Sequence, residues 1–497
     1  MGAILPLPSE LSSFLLRPTP QALVVRGPPG TGKTTFALAL LQSFRGKRLY
    51  VSGRLGREEL AKDFPWLIGP ADGVTVVDCT RSPDRLEDTL RAIEEARQVR
   101  PSQDGAPDLD STGLPPQVVE AWNRAIPQLP TMIVLDSWDS IVEQQLDRRP
   151  SGAASGTARS PVERSLLARI ISGPVFAVLV VEDREAGQLE YLVNGVVTLE
   201  RQSSRDRLER WLILDKLRGV RISSPTYPFT LEGGRFQCAS RLDSRQELRL
   251  GRADPDPESE RNPGTLWPGS TEYAAHFGRA HLGRLTLIET ERDVPDYAVR
   301  LLTSSFLTSV LANGGKTFHL LPPRAYPNDI WKMCSGMLSR EEFLRLVRVE
   351  GTGPLGQDEE IAGAVIEFPQ GLPGASEPRT PEALRFLQEN PDPRIPNLTV
   401  LWSSGLKALN AQTPGAYTPE NLPGIVQAYL HRARIHTLFI GRDDDPLTDS
   451  LAPMAEARVH MMARSGRVFV WGGDPPSPYM VLAEGDDLTP YRLLVVV

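Results

Sequence analysis

Along residues 21–231, short apolar runs alternate with amphipathic stretches. ALVVRG (22–27), RLYVSG (48–53), VTVVD (74–78), TMIVLD (131–136) and VFAVLVVE (175–182) are apolar without a polar residue at every second place. Such runs predict strands covered on both faces, hence a parallel sheet with helices on either side. Helical spacing fills two of the gaps, over 34–44 and over 83–97, where Leu86, Leu90 and Ile93 make the stripe. YLVNGVVTLE, RWLILDKLRG and TYPFTLEGG then follow closely, with no helix between them. They read as antiparallel strands added to one edge.

A second cycle of the same kind starts near Gly283. It runs through GRLTLIE (283–289), a helix from about 297 to 313 and GKTFHLLPP (315–323). LTVLWSS (398–404), a helix over 422–434, HTLFIG (436–441), RVHMMARSGRVFVWG (458–472) and YRLLVVV continue it. The second half therefore reads as a diverged repeat of the first. Pro-, Gly- and Ser-rich segments at 101–116 and 148–161 predict surface loops, and 251–270 has the composition of a linker. The expected plan is an α/β chain of two tandem domains, 1–240 and 271–497, joined by 241–270.

Composition adds limits. A chain of 497 residues exceeds one hydrophobic core, and 40% apolar with 24% charged residues is an ordinary globular balance. No apolar run is long enough to span a membrane, and MGAILPLPSELSSFLL lacks the basic start and small-residue cleavage site of a leader. Cys79, Cys238 and Cys334 are far apart and odd in number, which fits buried thiols in a reducing compartment and predicts a cytoplasmic protein. A net charge of −7 gives no global pull toward nucleic acid.

One segment carries chemistry outright. Gly27-Pro28-Pro29-Gly30-Thr31-Gly32-Lys33-Thr34 matches G-x-x-x-x-G-K-[ST] at every position, after an expected strand and before an expected helix. Glycines let backbone N–H groups converge on phosphate oxygens, and the helix N-terminus adds partial positive charge. Lys33 is expected at the β- and γ-phosphates and Thr34 at Mg²⁺, with Thr35 beside it, so ATP and Mg²⁺ are the expected cofactors. Asp136, ending TMIVLD, is placed where a carboxylate holds Mg²⁺ through water. Asp139, three residues on, reads as a helix cap.

With these residues in view, the chain resembles the RecA-like ATPases, and among them the two-domain KaiC group and the related regulator GvpD. The marks are the phosphate loop, VLDSWDSI around Asp136, and Asp215-Lys216-Leu217-Arg218-Gly219 followed by YPFTLEGG. The resemblance implies that Lys216 and Arg218 reach the nucleotide of a neighbouring subunit in a homo-oligomer, hexameric in the family, that regulates a protein partner. Only seven of the chain's 55 cations are lysine, which makes Lys216 stand out. The family also ends the strand after the phosphate-loop helix with water-orienting glutamates. Here Arg54 and Leu55 hold those places, with Glu58 and Glu59 just beyond, so slow hydrolysis is expected.

The second domain departs further. Residues 290–297 (Thr-Glu-Arg-Asp-Val-Pro-Asp-Tyr) stand where a phosphate loop would fall, with no glycine and three acids. Gly314-Gly315-Lys316-Thr317 follows a helix and opens a strand, the reverse of the required context, and reads as a helix C-cap. A RecA-like DNA-binding motor is the alternative reading, supported by the Arg-rich 201–221 and opposed by the acidic net charge.

Overall fold

The computed structural model describes residues 7–17, 21–66, 74–79, 131–147, 161, 163–164, 167–168, 175–182, 189–204, 207–239, 241–242, 247–251, 264–323, 325–350, 361–366, 382–389, 395–412, 414–433, 435–485 and 491–496. The helix expected over 83–97 and the loop over 101–116 lie outside them, as does the loop over 148–161 apart from Pro161. The chain divides into two compact units, one covering Ala3–Cys238 and one Ala239–Val495.

The first unit contains β1 (Gln21–Arg26), β2 (Lys47–Ser52), β3 (Val74–Asp78), β4 (Thr131–Asp136), β5 (Val175–Val181), β6 (Gly195–Ser204), β7 (Arg207–Leu217), β8 (Thr226–Thr230) and β9 (Gln237–Cys238). They form one sheet in the order β3-β2-β4-β5-β1-β6-β7-β8-β9. Strands β3 to β6 in that order are parallel, and β7, β8 and β9 add antiparallel pairings. Unbroken apolar runs are explained by cover on both faces. Leu23 and Val25 of β1 join Met132, Val134, Phe176 and Val178 in one core. Ala22 and Val24 join Ile133, Leu135, Ala177 and Leu179 in another.

The second unit contains a short pair, β10 (Thr265–Leu266) with β11 (Ala280–His281), and a larger sheet. That sheet is built from β12 (Leu285–Thr290), β13 (Thr317–Leu320), β14 (Val347–Glu350), β15 (Val365–Ile366), β16 (Asn397–Trp402), β17 (Ile435–Arg442), β18 (Ala457–Arg464), β19 (Arg467–Asp474), β20 (Met480–Glu484) and β21 (Tyr491–Val495). Its order is β15-β14-β13-β16-β17-β12-β18-β19-β20-β21. Exchanging β1–β9 for β12, β13, β14, β16, β17, β18, β19, β20 and β21 turns the first order into the second. The directions correspond as well, and β15 is an extra parallel strand at the outer edge. The chain is thus two tandem units of one α/β topology, as the repeated pattern implied.

Two cores again cover the sheet: Ile288, Leu398, Val400 and Leu438 lie in one, Leu285, Leu287, Phe318 and Phe439 in the other. Leu250 and Leu266, from the Pro- and Asp-rich stretch, are buried in the first of these. Gly314 follows the helix Asp296–Ala312 at φ +74°, with Gly314 N–H donating to the Leu311 carbonyl and Gly315 N–H to that of Val310. That geometry is a Schellman stop.

Candidate functional site

Strand, turn and helix succeed one another at the phosphate loop. β1 ends at Arg26, and after six intervening residues the helix Lys33–Ser43 begins with Gly32 as its N-cap. Two glycines are forced by contact and backbone. A Cβ on Gly27, at φ +149°, would come within 2.2 Å of the Leu199 carbonyl oxygen, and one on Gly32, at φ +95°, within 2.7 Å of Leu231 Cδ1. Thr31 Oγ1 donates to the Pro28 carbonyl at 2.8 Å and closes the turn on itself. Pro29 and Gly30 sit at its exposed crest.

Lys33 is 8% exposed and folds back onto this turn. Its Nζ donates to the Gly27 carbonyl at 2.6 Å and the Pro28 carbonyl at 3.1 Å. Burial pushes its pKa down; Asp136 opposes that shift and Arg54 adds to it. Among the described residues no carboxylate forms an ion pair with it. A buried cation held only by loop carbonyls beside a helix N-terminus is a fitting host for an oligophosphate.

Thr34 and Asp136 meet across the crevice. Thr34 Oγ1 donates to Asp136 Oδ2 at 2.7 Å, and the Tyr50 hydroxyl donates to the same oxygen at 2.7 Å. Tyr50 arrives from β2, which pairs with β4 so that Tyr50 lies opposite Val134. Burial, and then the Asp136 charge, raise its pKa well above the usual phenol value, so it stays a donor. Tyr50 was not singled out from sequence; the available signal was one phenol between Leu49 and Val51 in a buried stretch of β2. Thr35, in the first helical turn, is buried. A hydroxyl and a carboxylate side by side, with a buried lysine near, are the donor types a Mg²⁺–nucleotide needs. The residues present fit that group.

The end of β2 differs from the family pattern in a definite way. Ser52 Oγ donates to the Leu55 carbonyl at 2.6 Å and accepts from the Leu55 N–H at 3.1 Å, closing a tight turn. Arg54 pairs with Glu182, the residue that follows β5. Glu59 accepts from the Gly56 N–H at 3.2 Å and caps the helix Arg57–Asp63, whose Glu58 is exposed. Asp139 accepts from the Glu182 N–H at 2.8 Å, so it ties its own helix, Trp138–Asp147, to the end of β5. Its carboxylate thus has a tertiary role beyond the local cap expected from sequence.

Lys216 and Arg218 lie away from this group. Lys216 pairs with Val196, and Arg218 lies beyond the end of β7, its N–H donating to the Asn194 carbonyl. Asn194 in turn is level with Ala22, whose N–H its side chain accepts. Five strand residues, about 16 Å at the usual rise, separate that level from Gly27. Lys216 Nζ donates to the Glu190 and Val193 carbonyls at 2.8 and 2.9 Å, and the Arg218 carbonyl accepts from Arg17. β7 stops at Leu217, so Arg218 lies past the strand and simple alternation does not place it on the face of Lys216.

At the equivalent strand ends of the second unit, charges pair with one another. β12 ends at Thr290; Arg292 pairs with Asp444 at 2.7 Å, Lys407 with Asp445 at 2.9 Å, and Arg442 Nη1 donates to the Glu291 carbonyl at 2.6 Å. Trp402 ends β16 where Asp136 ends β4.

Comparison with known proteins agrees with the first unit's geometry. The family model for the GvpD gas vesicle protein P-loop domain matches residues 11–215. Protein GvpD1 of Halobacterium salinarum is 33% identical over 239 residues, 48% of this chain and 41% of the relative. Protein GvpD2 of the same organism is 31% identical over 349 residues, 68% of this chain and 65% of the relative. The chain therefore matches less than two thirds of either relative's length. The crystal structure of a KaiC-like protein from Pyrococcus horikoshii OT3 shares 20% identity over 45% of this chain and 90% of that one, at a TM-score of 0.31. That likeness is too loose to bear on the fold, which rests on the strand order. By its phosphate loop, its sheet and its match to the GvpD family, the segment 11–215 is a P-loop domain of the GvpD kind.

Proposed function

We propose that the chain is a regulatory ATPase that binds ATP with Mg²⁺ in its first unit, hydrolyses it slowly, and reports the nucleotide state across a subunit interface to a protein partner. The carrying observation is the convergence of Lys33, Thr34 and Asp136 around a glycine-shaped turn at a helix N-terminus. Backbone N–H groups of 30–35 and Lys33 would hold the phosphates; Thr34 and Asp136 would hold Mg²⁺, which neutralises charge on the phosphate oxygens when bound. The second domain, whose crevice charges pair with one another, would serve assembly or partner binding.

Arg218 lies about five strand residues below its own loop and the Lys216 ammonium is taken up by the Glu190 and Val193 carbonyls, so we assign both to a neighbour's nucleotide rather than to their own. Mixing subunits tests this. Lys33→Ala and Arg218→Ala proteins should each lose ATP turnover alone, and mixed assemblies should regain part of it at interfaces that join an intact loop to an intact Arg218. Mixtures that associate yet stay as inactive as either parent would refute the trans role. Sizing the protein in ATP and in ADP gives the second readout, a nucleotide-dependent change in assembly.

A further inference from the structure

A carboxylate stands close to the place from which the end of β2 lacks one. We propose that Glu182 orients and deprotonates the water that attacks the terminal phosphate, with Arg54 restraining it; this rests on the ATPase reading above. β5 lies in the sheet between β4 and β1, with Val180 opposite Asp136 and Val181 opposite Arg26. The next residue, Glu182, therefore emerges at the carboxyl edge between Asp136 and Gly27, where such sheets hold their ligands. Its backbone is fixed by the bond from its N–H to Asp139 Oδ2 at 2.8 Å. Its side chain is one-third exposed and pairs with Arg54, which is more than half exposed.

The other carboxylates nearby have different work. Asp136 Oδ2 takes the Thr34 and Tyr50 hydroxyls, Asp139 takes the Glu182 N–H, and Glu59 caps its helix. The Gly53 N–H donates to the Asp136 carbonyl at 2.7 Å, which fixes the turn that carries Arg54 beside the end of β4. In the step itself a water oxygen bonds to the γ-phosphorus as the bond to the bridging oxygen breaks. Glu182 takes a proton from that water and later releases it to solvent, and ADP and inorganic phosphate leave. While Arg54 holds the carboxylate, the base is neutralised and turned aside. An exposed ion pair is cheap to open, so turnover is slow rather than absent.

The test uses the full chain, measuring phosphate release at saturating ATP and, separately, affinity for a fluorescent ATP analogue. Glu182→Gln should lower kcat by about a hundredfold or more, the scale of a lost general base, and leave affinity within about twofold. Glu182→Asp should fall between it and the parent. Arg54→Ala should raise kcat, and Arg54→Lys should stay near the parental rate. A parental kcat in Glu182→Gln overturns the proposal, as does an equal loss in Glu58→Gln or Glu59→Gln, or a fall in Arg54→Ala. Absent turnover in both the parent and Arg54→Ala also overturns it. Failure of the parent to bind the analogue would instead remove the ATPase reading beneath it.

Discussion

Tyr50 shows how a single side chain can orient a carboxylate that it shares with a hydroxyl from another element. Its hydroxyl and that of Thr34 both donate to Asp136 Oδ2 at 2.7 Å, so the carboxylate is aimed before any ligand arrives. A buried donor to an ionised acceptor contributes more than a neutral pair. Tyr50→Phe should therefore cost about 1.5–3 kcal/mol of stability, read from urea unfolding, and weaken the Mg²⁺ dependence of nucleotide affinity. Unchanged unfolding and unchanged Mg²⁺ titration would show that Thr34 alone orients Asp136. At this scale the loop's eight residues were legible because their spacing is a chemical requirement. Tyr50 and Glu182 were not, because their partners come from neighbouring strands distant in sequence, and only strand register brings them together.

Between elements, Glu10 does comparable work for the fold. It sits on the short helix Ser9–Leu15 and is almost fully buried. It accepts from Ser223 Oγ at 2.6 Å, Tyr227 OH at 2.6 Å and the Ser224 N–H at 3.1 Å, joining the helix to the β7–β8 connection. Burial pushes its pKa up, but the bonds from Ser223, Tyr227 and the backbone outweigh it and bring the value to about 2. A depressed carboxyl stabilises fully above its ordinary value of 4.5 and loses that contribution as pH falls toward about 2. Glu10→Gln should thus cost about 2 kcal/mol at neutral pH, and the gap from the parent should close between pH 4.5 and 2. A gap independent of pH would mean that the charge is irrelevant. Many strands and helices read from periodicity lie within two residues of their observed bounds, but β14, β15, β20 and the helices Pro327–Cys334 and Arg340–Leu346 were not read at all. Nor was the end of β7: KLRG continues the apolar pattern, yet the strand stops at Leu217 and skips Asp215 in its pairing.

For the whole molecule, the repeat is clearer in strand order than in sequence. Burial on both sheet faces needs only apolar runs of suitable length, so the second unit kept its topology while its loops diverged. Those loops now hold Arg292–Asp444 and Lys407–Asp445 pairs where the first unit holds a glycine turn and Asp136. That residues 290–297 lack the glycines of a phosphate turn was legible, since without glycine the N–H groups are not brought together. That Arg292 and Lys407 find acids just beyond β17 was not legible, because the pairing depends on which strand ends lie side by side.

The central claim is one nucleotide site per chain, at Lys33 and nowhere else. Calorimetric titration of the full-length protein with a non-hydrolysable ATP analogue and Mg²⁺ measures it directly. The expected stoichiometry is one per chain, abolished by Lys33→Ala in a protein that remains folded. A stoichiometry of two, or a single site that survives Lys33→Ala, would contradict the account.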